Sequence, residues 1–248
     1  MTGRRVLVTG ARRGIGAALA VGLARPGTAL VLHHLDAAHE IADVAARCRD
    51  LGAAVETLEA DLGDAREIAR LASAAGPVDV LVNNAARASQ SALDDLTHEE
   101  WASTLAVNLT APVLLARALV PGMRARGWGR IVNITSATVR LGGPSGPAYV
   151  AGKSGLVGLT RALARSLGPA GITVNALSPG AVRTESEREL ATAHGPQHDL
   201  DADILRRQAL PRRLTPDDMV GCLRFLVSEG AAGVTGQVIE VGGGLVHR

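Results

Sequence analysis

Short, unbroken apolar runs recur along the chain, and each is followed by a stretch with helical spacing. The first predicts a strand over 4–9 that ends at Gly10, and a helix over 14–25 stopped by Pro26-Gly27. The same alternation predicts strands at 29–32, 55–60, 78–82, 130–135, 172–177 and 237–241. Between them it predicts helices at 36–51, 64–75, 99–126, 148–167, 186–208 and 216–228. The strands read as continuous and apolar rather than alternating. That is the signature of a parallel sheet buried on both faces. The expected fold class is therefore α/β, a Rossmann-like doubly wound parallel sheet of about seven strands flanked by helices. No linker, repeat or low-complexity tract interrupts it, so residues 1–248 read as one domain.

Composition narrows the function classes. Apolar residues make up 47% of 248, enough for one packed core. A net charge of +2 and 2% aromatics supply neither the basic field nor the stacking surface of a nucleic-acid binder. No uninterrupted apolar run approaches the ~20 residues of a membrane span. The N-terminus lacks the regions of a signal peptide, so a cytoplasmic protein is expected. Cys48 and Cys222 are far apart with no ligand spacing, so neither a disulfide framework nor a metal site is expected. Lysine is the informative exception. Of 26 basic residues only Lys153 is lysine, four residues after the single tyrosine, Tyr149.

Thr9-Gly10-Ala11-Arg12-Arg13-Gly14-Ile15-Gly16 lies between the first strand and the first helix. Its glycines allow a tight turn and close approach to a pyrophosphate, and the helix N-terminus offers unpaired N–H groups to the anion. From this loop onward the chain resembles the short-chain dehydrogenase/reductase family, nearest its 3-oxoacyl-carrier-protein-reductase-like branch. Asp61-Leu62 is similar to the family's adenine-contacting pair. Asn83-Asn84-Ala85-Ala86 resembles its Asn-Asn-Ala-Gly motif, with Ala86 for the usual glycine. Asn108, Ser136, Tyr149 and Lys153 fall in the spacing of its catalytic tetrad. Asn175 to Gly180, Val182, Thr184 and Val234 to Gln237 match its later segments in order.

Tyr149 and Lys153 share a helix face as an i, i+4 pair. A nearby ammonium is expected to lower the phenol's pKa from about 10 and so suit it to acid–base work. Ser136, at the end of the fifth strand, is expected to polarise a carbonyl. Asn108 in mid-helix is expected to bind a backbone carbonyl and water, as part of the relay the resemblance implies. The alternatives without the resemblance are a loop or cap serine for Ser136, a structural amide for Asn108 and the cap of the next helix for Asp61.

The resemblance also implies a bound dinucleotide. Its cradle would be Gly10, Arg12, Arg13, Gly14, Ile15 and Gly16. Asp61, Leu62, Asn83 and Ala85 would lie along the adenosine. Tyr149, Lys153, Pro179, Gly180, Val182 and Thr184 would lie towards the nicotinamide. His34 stands where NAD-specific members carry an acid, and Arg13 resembles the basic residue that favours a 2′-phosphate. NADP(H) is therefore expected over NAD(H), with His33 assisting or Asp36 reading the ribose as alternatives. The expected activity is interconversion of a ketone and a secondary alcohol. A non-catalytic dinucleotide sensor is the alternative from another class. The substrate is expected to be a small polar or carrier-linked ketone facing Arg87, Ser89, Thr138, Arg140, Leu141 and Gly142, under a lid at about 185–213. A homotetramer is expected through Leu109, Val113, Leu114, Leu156, Leu159 and Leu163.

Overall fold

A computed structural model of the chain describes residues 3–185, 187 and 200–246. Seven strands form one parallel sheet: β1 (Arg5–Val8), β2 (Ala29–His34), β3 (Ala54–Glu59), β4 (Val80–Asn83), β5 (Gly129–Ile134), β6 (Ile172–Pro179) and β7 (Val238–Val241). Their order across the sheet is β3-β2-β1-β4-β5-β6-β7. The chain reverses its direction of travel between β1 and β4. In an open parallel sheet the crevice above that reversal is where ligands bind.

Helices cover both faces, as strands buried on both sides require. Helices α1 (Gly14–Leu23) and α2 (Ala38–Asp50) pack on one face, with Leu19, Leu23, Ile41 and Val44 against Val6, Val8, Leu30 and Leu32. On the other lie α3 (Ala65–Ala75), α5 (Ala111–Ala125) and α7 (Pro147–Leu167), which bury Leu71, Leu115, Met123 and Ala164 against Leu7, Val31 and Ile131. The alternation of side chains along each strand thus divides one sheet into two cores.

Several elements differ from the sequence expectation. Strand β3 alternates between exposed and half-buried positions because it is an edge strand with only one neighbour. The helix expected over 99–126 is three pieces. Helix α4 (His98–Leu105) and α5 are joined by a π turn over Ala106–Thr110, which contains Asn108. A four-residue helix, α6 (Thr138–Leu141), follows β5. Of the helix expected over 186–208, the described part is α8 (Leu200–Arg207); residues 186 and 188–199 lie outside the described residues. The last helix opens as a 3₁₀ turn over Pro216–Met219 and continues as α9 (Val220–Leu226).

By length and composition alone the His98–Ala125 stretch could cross a membrane, since an 18-residue window within it has a mean hydropathy of 1.5. It holds no uninterrupted apolar run of that length, as expected from the sequence, because Asn108, Thr110 and Arg117 break it. Its apolar face, Ala111, Leu115, Leu119 and Met123, packs against the sheet and its neighbouring helices. Leu156, expected at a subunit interface, is buried in the chain's own core, and Leu109 packs on Gly155 of α7. Val113 remains exposed.

Candidate active site

At the carboxyl ends of β1, β2 and β4 the glycine loop is held from both sides. Gly10 adopts a left-handed backbone (φ 64°), and a Cβ there would lie 2.8 Å from the Ala85 Cα. At Gly16 a Cβ would overlap the Gly10 carbonyl oxygen and the Asn84 side-chain amide. Glycine is required at both places for different reasons: backbone hand and contact with β4 at the first, contact with the loop's own chain at the second. Thr9 and Asn84 complete the clamp. The Thr9 hydroxyl accepts from the Asn84 and Ala85 N–H groups (3.0 and 3.1 Å). The Asn84 amide donates to the Thr9 and Gly10 carbonyls, each at 3.0 Å. Both residues lie inside the sequence motifs, but neither is among the residues expected from them to hold the dinucleotide.

The other residues expected around a dinucleotide are spread along this crevice. Arg13 is the N-cap of α1, and Arg12 is ion-paired to Glu40 of α2 at 2.6 Å. Ile15 packs at the margin of the α1–α2 core. Leu62 is buried, whereas Asp61 is exposed and accepts from the Gly63 N–H at 2.7 Å. The cap of α3 is Asp64, which accepts from Arg66 N–H, so the cap alternative for Asp61 does not hold. Asn83 turns inward. Its amide donates to Asn133 (2.8 Å), which donates to Thr160 (2.9 Å), which donates to the Leu156 carbonyl (2.8 Å). On the far flank Pro179 ends β6, and Gly180 packs so closely on Gly242 that a Cβ would lie 2.6 Å from its Cα. Val182 bridges to Leu214, and the Thr184 hydroxyl accepts from Glu187 N–H. Thr184 lies beside Gly14, so the segment after β6 closes on the glycine loop. Asp201 of the expected lid pairs with Arg183, just before the lid, and with Arg213 at its end, and Arg213 also holds Glu187 at 2.5 Å.

His34 ends β2 on the α1–α2 side. It is buried, and its Nδ1 has no hydrogen-bond partner among the described residues. A buried, unpartnered ring nitrogen costs stability unless a ligand completes it.

Three of the four expected catalytic side chains meet above β5. Tyr149, half-buried on α7, is hydrogen-bonded to Ser136 at the end of β5. Ser136 Oγ also accepts from Thr138 N–H (3.2 Å) and from the Thr138 hydroxyl (3.0 Å). With two donors directed into it, the Ser136 proton is left to point at Tyr149, and the Tyr149 proton is left for another acceptor. Thr138, expected in the pocket wall, therefore also holds the Ser136 hydroxyl in place.

Lys153 is one turn further along α7 and is 2% exposed. Its ammonium donates to the Ile134 carbonyl at 2.7 Å and lies 5.7 Å from the Tyr149 ring centre. Burial pulls its pKa down to about 8. Burial also pushes the Tyr149 pKa up, with Ser136 opposing the shift. The net direction is opposite to the expected lowering, because desolvation of the phenolate dominates over the opposing Ser136 hydrogen bond.

Asn108 is fully buried at the π turn. Its Oδ1 accepts from the Arg87 N–H (2.8 Å) and its Nδ2 donates to the Arg87 carbonyl (3.0 Å). The amide thus meets the backbone carbonyl expected of it, and its oxygen takes the N–H of the same residue, so both ends hold the Arg87 backbone. Ser89, expected in the pocket wall, is buried, and its carbonyl accepts from Gly146 N–H. Thr138, Arg140 and Leu141 stand on α6, and Arg140 lines a pocket with Ser136 and Val139.

The family model described as enoyl-(acyl carrier protein) reductase matches residues 10–246. A probable galactose dehydrogenase of Rhizobium meliloti is 39% identical over 246 residues, covering 98% of this chain and 94% of that protein. Among solved structures, a protein assigned as an NAD(P)-dependent gluconate 5-dehydrogenase from Beutenbergia cavernae, with NADP bound at low occupancy, superposes with a TM-score of 0.91. It is 39% identical and the match covers 99% and 97% of the two chains. The 3-oxoacyl (acyl-carrier-protein) reductase of Agrobacterium tumefaciens, solved with NADP bound, gives 0.90 at 35% identity, covering 98% and 94%.

Proposed function

This chain belongs to the short-chain dehydrogenase/reductase family, and we propose that within it the protein is an NADP(H)-dependent enzyme interconverting a ketone and a secondary alcohol. The observation that carries this reading is the meeting of the Tyr149 and Ser136 hydroxyls beside a buried Lys153 ammonium. A non-catalytic sensor has no use for a lysine held buried and charged at a cost in stability.

The residues fit a dinucleotide. The glycine cradle excludes a Cβ at Gly10 and Gly16, and His34 presents an unpartnered nitrogen at the end of β2. Gly10 to Gly16 would hold the pyrophosphate, with Arg12 at the margin and Arg13 at a 2′-phosphate. His34, Asp61, Leu62, Asn83 and Ala85 would lie along the adenosine. Lys153 and Tyr149 would face the nicotinamide ribose, with Pro179, Gly180, Val182 and Thr184 beside the carboxamide. The bound nicotinamide supplies or accepts the hydride. Ser136 orients and polarises the carbonyl oxygen. Tyr149 gives that oxygen its proton, and Lys153 keeps a positive charge beneath it. Asn108 positions the Arg87 backbone.

The NADP-bound relatives and the N-cap place of Arg13 support the phosphorylated cofactor. Arg13→Ala should weaken NADPH by about 1.5–3 kcal/mol, the worth of a hydrogen bond to a charged group. NADH, lacking the 2′-phosphate, should hardly change. Fluorescence titration of both cofactors checks this; equal losses would move the discrimination to His34 or Asp36.

For substrate we read a polar or carrier-linked ketone, from Thr138 and Arg140 on α6 and the carrier-linked relative. Following NADPH consumption with a 3-oxoacyl thioester, a sugar acid ketone and an apolar ketone tests it. Turnover of the apolar ketone alone would reject it. We further read residues 1–248 as one domain of a cytoplasmic homotetramer assembled through α4, α5 and α7. Light scattering should then give about four times the 25.5 kDa chain mass, and a monomer at micromolar concentration would end that reading.

A further inference from the structure

The geometry points to His33 as the positioning residue of the dinucleotide loop: its imidazole and its own carbonyl catch two consecutive loop amides, fixing the cradle from the β2 side. The Gly10 N–H donates to His33 Nδ1 at 3.1 Å, and the Ala11 N–H donates to the His33 carbonyl at 2.9 Å. On the opposite flank the Gly10 carbonyl is held by Asn84. The Gly10 peptide is therefore pinned at both ends, by β2 through His33 and by β4 through Asn84. This inference rests on the dinucleotide reading above and assigns a residue that the reading leaves out.

The ring's protonation follows from its partners. Gly10 N–H is a donor, so Nδ1 carries no proton. Nε2 then carries it and donates to the Ala60 carbonyl at 2.9 Å. Only the neutral ring with the proton on Nε2 makes both bonds, and the ring is 3% exposed. Burial pushes its pKa down and His34 adds to that, while the Ala60 bond and Asp61 oppose it, so the neutral form persists at neutral pH. His33 thereby joins the glycine loop to the segment that leads into Asp61. It points away from His34, since neighbours on a strand face opposite sides of the sheet.

The two bonds separate by substitution. Asparagine places an oxygen at the reach of Nδ1 but falls short of Ala60. Glutamine places an N–H donor at the reach of Nε2 and offers Gly10 no acceptor there. Phenylalanine keeps the ring and loses both bonds. NADPH dissociation constants, by nicotinamide fluorescence, and melting temperatures of the cofactor-free proteins are measured for the parent and all three variants. His33→Phe and His33→Gln should weaken NADPH about tenfold, the cost of one unmade buried hydrogen bond. His33→Asn should stay within threefold of the parent. The melting temperatures should order differently, with His33→Gln near the parent and His33→Asn below it. With an accepted ketone, kcat at saturating NADPH should change less than threefold throughout, the loss falling in KM.

Equal weakening by Asn and Gln, or affinities that simply follow the melting temperatures, would make His33 an ordinary buried residue and overturn the inference. A parent that binds no dinucleotide would overturn both this inference and the reading beneath it. A parent that binds NADPH while His33→Gln binds equally well overturns this inference alone.

Discussion

Tyr149→Phe should lower ketone turnover by about 10²–10⁴-fold, the usual worth of a positioned general acid, while leaving NADPH affinity within threefold of the parent. The substitution removes one hydroxyl from a half-buried ring and keeps its volume, so a folding defect is not expected. Stopped-flow measurement at saturating NADPH separates the chemical step from binding. Parent-like turnover would exclude Tyr149 as the acid. The pH dependence should carry the same signature in the parent. Burial raises the Tyr149 pKa, so the phenol keeps its proton through neutral pH and serves carbonyl reduction directly. Alcohol oxidation needs the phenolate and should speed up as pH rises. Reduction should decline above pH 8, where Lys153, at about 8, gives up its charge.

Lys153→Met should cost at least about 10²-fold in turnover, since a fixed charge beside a developing oxyanion is lost, and should also make the protein more stable at pH 7. The folded-state pKa lies at about 8 against 10.5 for an unburied lysine. Below pH 8 both folded and unfolded chains are protonated, and holding the ammonium in the core costs roughly 3 kcal/mol. Between about 8 and 10.5 the unfolded chain binds the extra proton, so the parent gains stability as pH rises. Methionine removes the charge and forfeits the bond to Ile134. About 2 kcal/mol should remain, or roughly 4–8 °C for a chain of this size. Thermal unfolding at several pH values checks it: the gap should narrow towards pH 10. A variant less stable than the parent at pH 7 would show that the ammonium is not held at a cost.

The strand–helix alternation was legible because the five inner strands are buried on both faces and write their burial as continuous apolar runs. Strand β3 departs from that rule through its position, and position within a sheet is not a local property of sequence. The π turn left no mark, since Ala106-Val107-Asn108-Leu109-Thr110 carries ordinary helical residues and its extra backbone residue is accommodated by packing on α7. The nearness of Tyr149 and Lys153 was legible through one rare lysine spaced one helical turn from one tyrosine. Their electrostatics were not, because the depth of Lys153 and Tyr149 depends on β5 and the loop after it. His33 illustrates the same limit. Two histidines at the end of an apolar strand drew attention, but only the folded chain separates the one that holds the loop from the one with a vacant nitrogen.

The two borders of the sheet are chemically unequal. At β3, Glu56 and Glu59 stand on the rim, with Glu56 reached across β2 by Arg5 at 2.5 Å. At β7, Val238, Ile239 and Val241 are half-exposed. A strand rim with unpaired amides invites another rim to join it, and carboxylates discourage that. Growth that placed β7 of one molecule against β3 of the next would repeat without end, and it meets charge at every joint. Contact of β7 with β7 uses the same patch twice and is then complete. Among the described residues, the carboxylates on β3 therefore disfavour open-ended growth from rim to rim.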